Sequence, residues 1–212
     1  MGGDDAALLG ELLCARLCHD LAGAIGAIGT GVEILTDEDG GKEFAADALV
    51  LLEGSAVAAV NRLKFLRVAL GNGGTTMSTE QLRQLVADFL GAQMEERNAL
   101  RLEWRDVRKS DWVGDELKLL LNLVLLARDC LPRGGVVSVE APAQGGVLPV
   151  VAAQGAQVAV AEAVKALDAA DVSLLRPRGA QGYYASLLAR RMGLSISCED
   201  SHDRVVFATT KN

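Results

Sequence analysis

Apolar residues recur every three or four positions from about Ala6 to Leu70, and the polar, glycine-ended stretch Thr36 to Gly41 divides them into two long helices. On the first, Cys14, Leu21, Ile28 and Leu35 form one stripe, with Cys18, Ile25 and Val32 beside it; on the second, Leu49, Leu52, Ala56, Ala59, Leu63, Leu66 and Leu70 follow the same spacing. Two antiparallel helices shield only one side of each other. Stripes of this length therefore predict that a second hairpin covers them, giving a four-helix bundle in a homodimer.

Beyond the glycine-rich stretch at 71–74 the pattern shifts to alternating short elements, so we place a boundary near residue 75: a helical hairpin over 1–74 and an α/β-sandwich over 75–212, an α+β chain overall. Ser78 and Gln81 have the spacing of a capping box opening a helix to about Leu90. Leu100 to Trp104 reads as a strand, Gly114 to Cys130 as a long helix stopped by the 132–135 Pro-Arg-Gly-Gly run, and Val136 to Glu140 and Val147 to Ala153 as strands turning at Gly145 and Gly146. A helix from Ala180 to Met192, capped by Gly193, leads into strands Leu194 to Cys198 and Val205 to Thr209. The expected sheet is mostly antiparallel with helices on one face.

With 212 residues, half of them hydrophobic and 23% charged, the chain can bury a core without disulfides or metals. A net charge of -7 supplies no basic surface for tracking phosphates, which argues against nucleic acid. The longest apolar run, Leu117 to Ala127, is too short to span a bilayer and the start lacks a basic signal flank, so we expect a cytoplasmic chain with no membrane partner. Cys14, Cys18, Cys130 and Cys198 show no metal or redox spacing and read as small buried hydrophobes.

Of two histidines, His202 sits in a polar turn, whereas His19 lies within the first helix, about 140° from the centre of its apolar stripe, and should face solvent. The same exposed stripe carries Arg16, Gly23, Gly26 and Thr30. Each mid-helix glycine costs roughly 1 kcal/mol relative to alanine, and Gly23 and Gly26 leave bare helix where another macromolecule can dock; Gly29 and Gly31, nearer the apolar side, read as helix-packing positions. An exposed imidazole can act as a nucleophile that accepts a phosphoryl group and passes it on, or it can be an incidental surface residue. On the first reading Arg16 pairs with phosphoryl oxygens, Asp20 orients the ring, and Arg62 and Arg67 assist docking. Cys14, Cys18 and His19 cannot enclose a metal, because the cysteines point to the apolar side and the histidine away from it.

The run Leu17 to Leu21 (Leu-Cys-His-Asp-Leu) on the first of two long helices, with Arg62 to Arg67 closing the hairpin and Tyr184 to Gly193 as a late helix, resembles the ChpT-type histidine phosphotransferases of alphaproteobacteria. The resemblance implies a hairpin dimer followed by a degenerate version of the histidine-kinase ATPase domain. It also implies that His19 takes a phosphoryl group from a receiver aspartate of a hybrid kinase and hands it to receivers of response regulators. No cofactor is then bound by this chain, and the partner receiver supplies the Mg²⁺. The family's proline five residues after the histidine is Ala24 here, which implies a straighter helix below the site.

ATP-binding members of the kinase fold carry two asparagines four residues apart on the long helix. Asn122 matches the first, but the second position is Leu126, which cannot ligate Mg²⁺, and no Asp-x-Gly-x-Gly loop follows between Val136 and Val160. Asn122 then reads as a structural residue at a helix–sheet junction. Two alternatives stay open: a histidine kinase that uses ATP, and a non-enzymatic adaptor that binds a response regulator.

Overall fold

The computed structural model describes residues 2–37, 43–72, 74, 76–91, 99–107, 111–142 and 147–211. The expected turn at Gly145 and Gly146, and most of the hairpin connection, lie outside the described residues. The mixed helix and sheet content is that of an α+β fold.

Helix α1 runs unbroken over Gly3–Thr36 and α2 over Ala45–Leu70. Their shared face is built from small residues. Gly31 meets Leu52 so closely that a Cβ would lie 2.7 Å from its Cγ, and Ala24, at the family's proline position, is buried with Ala58. Small residues bring the backbones together and push the larger apolar side chains outward. Ile25, Val32, Leu49, Val57, Val60 and Leu63 are all exposed on the single chain, and so are Cys14 and Cys18. The two cysteines are therefore not core residues of this chain, contrary to the sequence expectation: they sit on the uncovered apolar side. By length and composition α1 is also apolar enough to cross a membrane, a property that the 117–127 run lacks. Part of that apolarity packs on α2, and Leu9 joins Val172, Ala180 and Tyr183 in a small separate cluster.

Helix α2 ends at Gly71, where a Cβ would lie 2.1 Å from the Arg67 carbonyl oxygen, so only glycine admits this exit. Strand β1 (Thr76–Ser78) leads into α3 (Thr79–Gly91), opened by the expected capping box: Gln81 N–H donates to Ser78 Oγ at 3.2 Å, and Ser78 N–H to Gln81 Oε1 at 2.9 Å. After β2 (Leu100–Arg105), strand β3 (Asp111–Val113) pairs back with β1. Then come α4 (Gly114–Asp129), β4 (Gly135–Glu140), β5 (Val150–Gln154), the short α5 (Glu162–Lys165), two single 3₁₀ turns, α6 (Pro177–Arg191), β6 (Leu194–Ser201) and β7 (Arg204–Lys211). Gly193, at φ +68°, makes the left-handed exit from α6.

The main sheet has the order β2-β4-β5-β7-β6, parallel only between β2 and β4, the main-sheet strands that come before and after α4 in the chain. On β7, buried Val205, Phe207 and Thr209 alternate with half-buried Val206 and Ala208, the period of a sheet covered more fully on one face. Helix α4 is buried at every position from Leu117 to Ala127 because the sheet lies on one side and α2, α3 and α6 on the others. Asn122 Nδ2 donates to the Ala69 carbonyl at 3.0 Å and to the Lys118 carbonyl at 2.7 Å, while Gln181 donates to its Oδ1. Asn122 thus joins three helices, a correction to the helix–sheet junction expected for it.

Candidate functional site

His19 lies midway along α1, its side chain 66% exposed, as its angular position on the helix predicts. Three depressions meet at it. One of about 380 Å³ is floored by Arg128, Asp129, Pro132 and Ala161; a second of about 380 Å³ is lined by Gly23, Arg62, Phe89 and Leu131; a third, of about 410 Å³, is bounded by Glu162, Arg176, Pro177 and Arg178. The ring Nδ1 stands 3.4 Å from Asp20 Oδ1, which leaves Nε2 as the nitrogen without a protein partner among the described residues. Neighbours along a helix do not usually share a face. Here the Asp20 carboxylate reaches back beside the ring.

Asp20 is held by cations on both sides. Arg16 Nε donates to its Oδ1 at 3.0 Å and Arg128 Nη2 to its Oδ2 at 3.2 Å. Asp129 completes the cluster, accepting from Arg16 Nη2 at 2.7 Å and from Arg128 Nε and Nη2 at 3.0 and 2.7 Å. Arg128 also lies over the Phe89 ring, 5.2 Å from its centroid. Arg16 is consequently buried, at 8% exposure, and not the open surface residue the sequence suggested: it lines two of the three depressions with its Nε and Nη2 already donated to carboxylates. Its partner Asp129 lies 113 positions further along the chain. That separation is why helix geometry alone misplaces it.

Burial pushes the Asp20 carboxyl up, but the Arg128 and Arg16 guanidiniums more than offset this and hold it below the usual aspartate range. A carboxyl lowered on folding stabilises the fold above its unfolded pKa, near 4, and loses that contribution as pH falls through the lower native value. We expect Asp20→Asn to flatten the acid side of a stability–pH curve measured by urea unfolding between about pH 2 and 5.

Arg62 crosses from α2 and donates Nη1 to the Asp20 main-chain carbonyl at 3.2 Å. Arg67 lines none of the three depressions, so the structure does not bring it to His19. At Gly23 and Gly26 a Cβ would meet nothing within 4 Å, so both leave open helix surface as expected; Gly29 is equally open, and only Gly31 serves close packing. Arg128, Asp129, Arg176 and Arg178 were not anticipated. One signal for the first two was present: an acid in the last turn of a helix opposes the helix dipole, so Asp129 at the end of an otherwise apolar helix implies a cationic partner. Among the described residues no cluster of His, Cys, Asp and Glu could hold a metal.

An exposed helical imidazole, backed by a clamped aspartate at the junction of a helical hairpin and an α/β layer, is the arrangement of a phosphotransfer protein, and the chain belongs to the histidine phosphotransferase family. Residues 79–204 match that family's C-terminal domain, described as "Histidine phosphotransferase C-terminal domain". The chain is 31% identical over 207 residues, 94% of each protein, to Protein phosphotransferase ChpT of Brucella abortus (strain 2308). A solved bacterial phosphotransferase superposes with a TM-score of 0.78 at 30% identity, over 99% of this chain and 97% of that one. The protein is a phosphotransferase that works by phosphorelay.

Proposed function

We propose that His19 is the phosphoacceptor and relays the group between receiver-domain aspartates. The observation that carries this reading is the exposed ring at the meeting of three clefts, with Nδ1 beside Asp20 and Nε2 open. The Nε2 lone pair forms an N–P bond as the acyl O–P bond of a receiver's aspartyl phosphate breaks, and the receiver carboxylate leaves with the electron pair. Nδ1–H stays on the ring and faces Asp20, which balances the positive charge that develops there. A second receiver's carboxylate then reverses the step. The receiver holds the Mg²⁺, and catalysis by this chain is chiefly positioning.

In this reading residues 1–74 are the dimerisation and phosphotransfer part, and 75–212 a degenerate ATPase-like part that walls the site. Both ends of the Asn122 amide are engaged within the protein, and a Cβ at Gly182 would lie 1.7 Å from the Ala163 carbonyl oxygen, so the Glu162–Asp168 segment is seated directly on α6. These contacts support a chain that takes its phosphate from a receiver and not from ATP. Incubation with a phosphorylated receiver, followed by peptide mapping, should find an acid-labile, base-stable phosphate on His19. Incorporation from ATP without a receiver, or label on another residue, would refute the proposal.

The exposed apolar side of α1 and α2 supports a homodimer closed as a four-helix bundle. In this reading the chain works in the cytoplasm with hybrid-kinase and response-regulator receivers as partners, and with neither nucleic acid nor membrane. Light scattering at micromolar concentration should give twice the 22.2 kDa of one chain, and a Val60→Glu, Leu63→Glu double variant should fall to the monomer mass. A monomeric parent would remove this part of the proposal.

A further inference from the structure

Two of the cations around His19 are already neutralised. Arg16 and Arg128 close a ring of contacts with Asp20 and Asp129, in which two positive and two negative charges cancel. Arg62 stands outside that ring. It is half-buried, it gives one N–H to a main-chain carbonyl, and among the described residues no carboxylate forms an ion pair with it. Burial and the Arg128 charge both disfavour its cationic form, and the Asp20 charge offsets them only in part. The guanidinium still has donors to offer, and it lines the same open cleft as His19 and Gly23. Gly23 adds no side chain to that cleft, and a Cβ there would meet nothing within 4 Å.

A half-buried cation with spare donors and no ion-pair partner among the described residues, facing a cleft beside a nucleophile, is a place for an anion. The anion that must come to His19 is the phosphoryl group. We propose that Arg62 is a catalytic residue that grips the phosphoryl oxygens during transfer and on the phosphohistidine that results. This rests on the reading of His19 given above. Its planar fork can donate two N–H bonds to two oxygens at once, a geometry that lysine lacks. As the N–P bond forms and the receiver's O–P bond breaks, Arg62 neither gains nor loses a proton; it supplies charge where the equatorial oxygens carry theirs. Arg16, the residue expected to do this, has its guanidinium committed to Asp20 and Asp129.

The test compares the parent chain with Arg62→Gln and Arg62→Lys, and with Lys64→Gln as an exposed α2 control. Donors are a phosphorylated receiver and phosphoramidate, which needs no docking surface. Arg62→Gln should slow labelling of His19 from both donors by about 10- to 100-fold, with Arg62→Lys between it and the parent and Lys64→Gln within about twofold. In ³¹P NMR the last ionisation of the phosphohistidine should shift to higher pH in Arg62→Gln, because the guanidinium that favours the dianion is gone. Rates within about twofold of the parent and an unmoved titration would overturn the inference. So would slowing confined to the receiver donor and seen only in KM, which is the signature of docking. If Arg62→Gln does not fold, Arg62→Lys decides by the same two measurements. Mapping the label in the parent separates this inference from its foundation: phosphate on His19 with an indifferent Arg62→Gln overturns this inference alone, and phosphate elsewhere overturns both.

Discussion

Exchange of His19 for glutamine is expected to abolish phosphate uptake from a phosphorylated receiver completely while leaving the fold intact. Glutamine keeps a polar side chain of similar reach at an exposed position whose protein contact is the 3.4 Å approach to Asp20, so thermal unfolding should shift by no more than about 0.5 kcal/mol. The nearby carboxylates of Asp20 and Asp129 are engaged with Arg16 and Arg128, and no second histidine lines the three depressions. The loss should therefore be total and not a fractional slowing. A chain that still relays signal in cells with glutamine at this position would be an adaptor, and the phosphoacceptor reading would be wrong.

Replacing Arg128 with alanine should have the largest effect on stability. Its side chain is 15% exposed and bridges Asp129 on its own helix to Asp20 on the hairpin. Removing it leaves two carboxylates near one remaining arginine, and breaking a buried ion pair from one side costs on the order of 3 kcal/mol. The Phe89 ring loses its cationic cover as well. Denaturant unfolding measures the loss directly. A double-mutant cycle with Asp20→Asn should return a coupling of at least about 0.5 kcal/mol, because the two residues share one network. Strict additivity would mean that the contact seen between them carries no energy.

The hairpin was legible because two long stripes of period 3.6 with a polar break leave little else to build, and α3 because Ser78 and Gln81 mark its start. Gly193 announced the end of α6, and the position of His19 followed from simple angular counting. What escaped had causes of two kinds. Strands β1 and β3 are three residues each, and α5 with its 3₁₀ turns is equally brief, so neither period can register in them. Arg16, Arg128 and Asp129 escaped for the other reason. Their roles depend on α4 delivering its last turn to the middle of α1, a long-range event that no local pattern encodes. Cys14 and Cys18 were correctly placed on the apolar side of α1, but that side is uncovered on the single chain, so they were wrong as core residues.

Asn122 holding the Ala69 carbonyl on one side and Gln181 on the other leaves the last turn of α2 little liberty to swivel against the layer behind it. A visiting receiver thus meets a basin whose walls were aligned once, when the chain folded. Each encounter then forfeits little orientational freedom on this side, and affinity for successive visitors can stay modest without sacrificing aim. That suits a carrier which must let go as readily as it receives.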